Sequence, residues 1–242
     1  MKILSSGHHC TQCVVGLFCL PKGLNKDESD LIHLLVKKRL SLEKGELLFS
    51  QGEKFHAIFS IRYGSLKSEY SLEDGRSQIL NFHIAGDFMG LDGIGKSQYD
   101  SMATALEKTE VCLIDFARFE QLAQQVSSLQ KHLHHILSRE ISQDQKHLLT
   151  LGHLSAEQKL AFFLIHIIER LESQRQPYLE FELSMSREDI GNYLGMKIET
   201  VSRELSKLIK SRLLEVKSRH IKLINLQKLY QLAGKTMPPA IF

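Results

Sequence analysis

From residue 46 to residue 115 short apolar runs are cut at regular intervals by glycine, and beyond Asp115 that punctuation stops. The runs 47–49, 57–61, 66–70 and 78–84 fall between glycines at 45, 52, 64, 75, 86 and 93. Turn signals at intervals of roughly 7 to 12 residues are what an antiparallel barrel or jelly roll produces. Asp74-Gly75 is the clearest hairpin turn, because a tight primed turn needs a positive φ that glycine adopts without strain.

After Asp115 the pattern turns helical, and the segment from about Phe119 to Leu151 contains no Gly or Pro. Its later half places Leu137, Ile141, Asp144, Leu148 and Leu151 at alternating steps of four and three, the spacing of a coiled-coil seam. That seam predicts a homodimer. Asp144 is its one ill-suited member: in a parallel pair it faces its own copy, and two carboxylates in a partly desolvated seam repel and resist ionisation. A penalty of about 1 to 3 kcal/mol is enough to hold a marginal dimer apart.

Past Gly152 the chain restarts a helix at Ser155, runs through apolar residues 160 to 168, and breaks at the polar stretch before Pro177. Ser186 with Asp189 three residues on has the form of a capping box. The helix it opens buries Ile190 and Leu194 and ends at Gly195, where a sharp reversal is possible. The next helix is expected to bury Ile198, Val201, Leu205 and Leu208, leaving Glu199, Ser202, Arg203, Ser206 and Lys210 on the opposite face. Two alternating runs, 213–217 and 220–224, complete the outline of a winged helix-turn-helix.

That outline meets double-stranded DNA. In such motifs the N-terminal end of the second helix enters the major groove, here carrying Glu199, Ser202 and Arg203. Arg can grip a guanine edge with two hydrogen bonds, Glu can accept from cytosine, and Ser suits several edges. Lys207 and Lys210 lie farther along and suit phosphates, which fix register. Net charge over the 242 residues is only +3, but residues 197 to 235 hold ten Lys and Arg against Glu199, Glu204 and Glu215. A local excess of this kind is the footprint of a phosphate-facing surface.

All four cysteines of the chain are Cys10, Cys13, Cys19 and Cys112. Four thiolates suit either a cubane iron-sulfur cluster or a structural zinc ion. The N-terminus has no long apolar core and no cleavage signal, and the apolar stretch 13–20 is too short to span a bilayer, so a cytoplasmic protein with no membrane partner is expected. In a reducing compartment clustered cysteines point to metal or redox chemistry rather than structural disulfides. His8 and His9 beside Cys10 are expected to be solvated tail residues. His132, His134, His135 and His147 on the long helix carry no ligand pattern. No nucleophile elbow, phosphate loop or H-E-x-x-H occurs, which speaks against an enzyme. The open alternatives are a zinc-stabilised or otherwise ligand-responsive regulator of this fold, and an iron-sulfur redox carrier, which would have no use for the base-reading helix. The expected fold class is α+β: a cysteine-rich segment over 1–25, a β-barrel over 26–118, a dimerisation helix over 119–151 and a winged helix-turn-helix over 152–242.

The string from Asp189 to Gly195, Asp-Ile-Gly-Asn-Tyr-Leu-Gly, followed by Glu199-Thr200-Val201-Ser202-Arg203, resembles the DNA-binding segment of the fumarate and nitrate reduction regulators within the cyclic-AMP receptor superfamily. That family's E-x-x-S-R pattern falls on Glu199, Ser202 and Arg203. Residues 82–87 and 91–95 resemble its barrel, and the C-x2-C-x5-C spacing with a distant fourth cysteine resembles its cluster site. The likeness runs from Cys10 to about Gly234. It implies an oxygen-labile four-iron, four-sulfur (4Fe-4S) cluster on Cys10, Cys13, Cys19 and Cys112 that promotes dimerisation and DNA binding when oxygen is scarce. It also implies inverted-repeat operators with TTGAT-like half-sites and contact with RNA polymerase. Relatives that bind cyclic nucleotides place a Glu and an Arg-Ser pair in the barrel. The corresponding positions here are Leu91, Ser101 and Met102, so no cyclic nucleotide is expected: a buried phosphate would lack its cationic partner. Val14, Val15 and Phe18 are apolar neighbours suited to shielding a cluster from oxygen.

Overall fold

The computed structural model describes residues 1–4, 10, 13, 15, 19, 30–31 and 35–237. Contacts divide the chain into two units, Met1–Ile141 and Ser142–Phe242.

In the first unit the strands are β1 (Lys2–Leu4), β2 (Val36–Leu42), β3 (Leu47–Phe49), β4 (Ala57–Tyr63), β5 (Ser65–Ser71), β6 (Ser77–Ile84), β7 (Phe88–Met89), β8 (Met102–Ala105) and β9 (Thr109–Asp115). They form two antiparallel sheets in the orders β1-β2-β9-β4-β7 and β3-β8-β5-β6. The four apolar runs of the sequence thus fall on strands, and Gly75 at φ 85° makes the β5–β6 turn with Asp74 accepting from the Arg76 amide. The strand before residue 46 was less legible. β2 alternates, with Leu40 and Leu42 facing inward, but no glycine sets it off.

Side chains from both sheets, including Leu42, Phe49, Phe59, Leu66 and Val111, fill the space between them together with Tyr99 from the segment before β8. The other side of the five-stranded sheet is covered too. Ile58 and Ile114 there pack with Phe116, Phe119, Leu129 and Ile136 from the helices that follow. Because a strand shows successive side chains to opposite faces, β9 sends Val111 and Leu113 into the interior core and Ile114 to the outer one, with Cys112 on the same face as Ile114.

Helix α1 (Phe116–Gln125) is capped by Asp115, whose side chain accepts from the Arg118 amide, and α2 runs from Ser127 to His153. The single helix expected over 119–151 is therefore two. Val126 interrupts it with φ −115° and ψ 93°, and joins the outer apolar cluster. A β-branched residue is at ease in extended backbone, so the break needs neither Gly nor Pro and leaves no breaker signal in the sequence.

The second unit holds the end of α2, then α3 (Ala156–Ser173), β10 (Glu180–Glu182), α4 (Arg187–Leu194), α5 (Ile198–Lys210), β11 (Leu214–Lys217), β12 (His220–Leu223) and α6 (Leu226–Leu232). Ser155 and Ser186 each close a reciprocal capping box, the latter with Asp189 as expected. Gly195 ends α4 in the left-handed conformation at φ 62°. The wing has a third strand: β10 pairs with β12, which pairs with β11. Near the end of α2 the His147 ring stacks on Tyr193 of α4 at 4.0 Å, and burial lowers the His147 pKa to about 4, with Lys159 adding to it. Ile198 departs from expectation. It is 44% exposed, because the first residue of α5 lies ahead of the buried stripe formed by Val201, Leu205 and Leu208.

Gly191 is where the two helices of the turn meet. A Cβ there would stand 2.6 Å from the Met196 carbonyl oxygen, which is fixed backbone. Gly191→Ala is expected to destabilise this unit by about 1 to 3 kcal/mol, measured by denaturant unfolding; unchanged stability would mean the turn has room that this geometry denies it.

Candidate functional site

Cys112 sits at the middle of β9, opposite Arg39 on β2 and Ser60 on β4, all on the outer face of the sheet. The leading cysteines reach the same place. Cys10 and Cys19 pack against the outer apolar cluster, and Cys19 Sγ lies 3.1 Å from Ser60 Oγ. Local backbone bonds shape the segment, with the Cys13 amide donating to Cys10 at 3.2 Å and the Cys19 amide to Val15 at 2.9 Å. Arg62 donates through Nη1 to both oxygens of Glu110 at 3.0 Å, and its side chain also bonds Cys13. Buried Arg39 holds Nε 3.8 Å from the same carboxylate.

The thiols influence one another electrostatically. Burial pushes the Cys112 thiol up to about 12, with Cys19 and Cys13 adding to the rise and Arg39 opposing it. Cys10 is pushed up to about 11 by burial and then by Cys112 and Cys13. Burial works against the Arg62 charge, but Glu110 and Cys13 outweigh it and raise its pKa. Left alone, then, Cys10 and Cys112 stay protonated at neutral pH, and a metal centre would bind by displacing their protons.

The donor set fits a sulfur-ligated centre: four thiols converge, with two guanidinium groups against one carboxylate beneath them to offset thiolate charge. Among the described residues no group of three or more His, Cys, Asp or Glu has the arrangement that holds a single metal ion. Val15 is buried, while His8, His9, Val14 and Phe18 lie outside the described residues.

In the second unit α5 presents the expected reading face. Glu199, Arg203, Ser206, Lys207 and Lys210 are exposed and Ser202 is half-exposed. Ser206 Oγ donates to the Ser202 carbonyl at 2.8 Å, and Arg187 of α4 reaches Ser202 Oγ at 3.3 Å. Lys197 at the helix start makes no side-chain cap. The unexpected member is Glu204, which is covered and holds both Arg203 and Lys207.

On α2 the seam residues Ile141 and Leu148 are 58% and 68% exposed, with Leu137 and Leu151 half-buried. Asp144 is exposed on this chain, with partial desolvation already raising its pKa. A different face, Leu129, Leu133 and Ile136, packs on the outer apolar cluster of the first unit. The barrel interior holds Phe49 stacked on Tyr99 at 4.2 Å, and Ser101 donates through its hydroxyl and amide to Asp92 at 2.7 and 2.8 Å. Leu91 opens a short 3₁₀ turn and Met102 begins β8.

Comparison with known proteins places these features. Residues 158–232 match the Crp-like helix-turn-helix domain and residues 39–126 the cyclic nucleotide-binding domain. The fumarate and nitrate reduction regulatory protein of Escherichia coli (strain K12) is 38% identical over 228 residues, 94% of this chain and 91% of that protein. The chain belongs to the family of fumarate and nitrate reduction regulators. This family consists of transcription regulators rather than enzymes, and its present member is a DNA-binding transcription regulator. The transcriptional regulatory protein btr of Bordetella pertussis is likewise 38% identical over 227 residues, 94% of each chain. The structure of FixK2 from Bradyrhizobium japonicum superposes with a TM-score of 0.74 at 32% identity, covering 84% of this chain and 98% of that one. Among the described residues no helix is long and apolar enough to cross a membrane.

Sequence reading missed Arg39, Ser60, Arg62 and Glu110 around Cys112. The signal was available in the alternation Glu110-x-Cys112 and Ser60-x-Arg62, which sets polar groups on one face of strands otherwise apolar.

For the reading helix, Arg203→Ala is expected to weaken operator binding by about 1 to 3 kcal/mol and relax one guanine position. Equal loss on random duplex, measured by gel shift, would make Arg203 a phosphate contact instead.

Proposed function

We propose that this regulator senses oxygen through a four-iron, four-sulfur cluster held by Cys10, Cys13, Cys19 and Cys112, and that it binds DNA as a homodimer when oxygen is scarce. The observation that carries the reading is the convergence of three thiols from the leading segment on Cys112, over a surface bearing Arg39 and Arg62. A bound cluster supplies an oxygen-labile cross-link between the leading segment and β9. The protein's part is to release protons from buried thiols, offset thiolate charge with two guanidinium groups, and exclude water with Val15 and the outer apolar cluster.

Dimerisation rests on Leu137, Ile141, Leu148 and Leu151, an apolar stripe exposed at Ile141 and Leu148 and half-buried at the other two. Asp144 within it sets the poise, since pairing would desolvate two like charges. A two-fold dimer presents two copies of α5 to an inverted repeat with TTGAT-like half-sites, Glu199, Ser202 and Arg203 reading bases and Ser206, Lys207 and Lys210 holding register. The regulator acts in the cytoplasm and engages RNA polymerase at its promoters. A cyclic nucleotide is not its ligand: Leu91, Ser101 and Met102 offer no cation for a phosphate, and aromatic rings fill the barrel.

Purification without oxygen, followed by iron and sulfide counting, tests the sensor. Wild type is expected to be coloured, with equal iron and acid-labile sulfide that Cys112→Ala loses while its helix-turn-helix stays folded. Colourless, iron-free protein that still pairs and binds its operator would end the proposal. Asp144→Ala is expected to form dimers in air by sedimentation velocity, and a persistent monomer would show that the seam register is wrong.

A further inference from the structure

Helix α5 carries a carboxylate that base reading does not use. Glu204 adjoins the buried stripe of Val201, Leu205 and Leu208, a position where an apolar residue would be ordinary. It is 2% exposed, whereas the Arg203 and Lys207 side chains beside it are 61% and 51% exposed. Its Oε1 stands 3.2 Å from Arg203 Nε and its Oε2 2.8 Å from Lys207 Nζ. The two cations it holds form part of its cover, and charge-assisted contacts offset the cost of desolvating it. Lys207 and Arg203 together keep the Glu204 pKa below the usual carboxylate value against the effect of burial, so it is ionised at neutral pH.

The geometry around Arg203 is directional. Nε donates to Glu204, and Nη2 lies 3.4 Å from Thr200 Oγ1, so one edge of the guanidinium is tied to the protein. The outer end of the fork stays available, and that end makes the paired contact with guanine O6 and N7. A fork already fixed in orientation loses less freedom on binding. Lys207, by contrast, spends its charge on Glu204. Held there it is withdrawn from the phosphates, and phosphate attraction is the part of binding that ignores sequence.

Resting on the assignment of Arg203 as a base reader, we infer that Glu204 is a positioning residue that orients the Arg203 fork and restrains Lys207, so that α5 gives up sequence-independent affinity for selectivity.

The test uses full-length protein prepared without oxygen, titrated onto an operator duplex with inverted TTGAT-like half-sites and onto a scrambled duplex by fluorescence anisotropy, across roughly 50 to 300 mM salt. Compared are wild type, Glu204→Gln, Lys207→Met and the double variant. Glu204→Gln is expected to bind the scrambled duplex several-fold more tightly and to steepen the slope of log affinity against log salt by about one per protomer. Its operator-to-scrambled ratio falls about tenfold. The slope change is absent when Glu204→Gln is made on Lys207→Met. Should Glu204→Gln fail to fold, Glu204→Leu extends the apolar stripe and gives the same readout. Wild type that prefers its operator, with a Glu204 variant whose slope and selectivity are unchanged, overturns this inference alone. Affinities that fall together on both duplexes, with the slope unmoved, show a merely structural role and overturn it as well. Wild type with no operator preference removes the Arg203 assignment beneath it.

Discussion

Side chains along β9 alternate between two buried environments, and the arrangement of the thiols depends on that alternation. Val111 and Leu113 belong to the barrel interior, so Cys112 between them must emerge on the other face, beside Arg39 and Ser60. A one-residue slip in register would turn every one of these side chains around, placing a thiol among the aromatic rings and a leucine among the arginines. The apolar core on each side of the sheet fixes the register, and thereby fixes where the fourth sulfur stands. The ladder that holds the two cores together is in this way also the one that places Cys112.

The two units solve opposite electrostatic problems. Around Cys112 positive charge is gathered where thiols lie buried, with Glu110 balancing Arg39 and Arg62 so that two guanidinium groups can sit close together in a partly dry place. On α5 the covered carboxylate of Glu204 stands between the exposed cations Arg203 and Lys207. In both places a single acidic residue organises two basic ones. The difference lies in what remains exposed: an interior cradle in one unit, an outward fork in the other.

Much of this was legible before the fold was seen. Glycine spacing gave the barrel strands from 47 to 84, and the serine-aspartate pair with Gly195 gave the turn motif, because turns and caps depend on a few residues of restricted chemistry. The break at Val126 was not legible, since an ordinary β-branched residue makes it and only the neighbouring apolar cluster explains it. Ile198 was misplaced by counting helical periodicity one turn too early. Glu204 was hidden for another reason: it is covered while it contacts two long cationic neighbours, and pattern reading treats charged residues as exposed. The polar groups around Cys112 escaped because their significance lies in pairing across strands that are far apart in sequence.

Strand β1 pairs Lys2, Ile3 and Leu4 with Ser41, Leu40 and Arg39 of β2, the strand that itself lies alongside β9. In sequence, Cys10, Cys13 and Cys19 therefore fall between two strands that pair with each other, β1 and β2. A segment held at both ends by backbone bonds loses less entropy when its thiols are gathered than one held at a single end. The pairing of residues 2–4 with 39–41 thus tethers the cysteine-bearing segment to the strand that lies alongside Cys112.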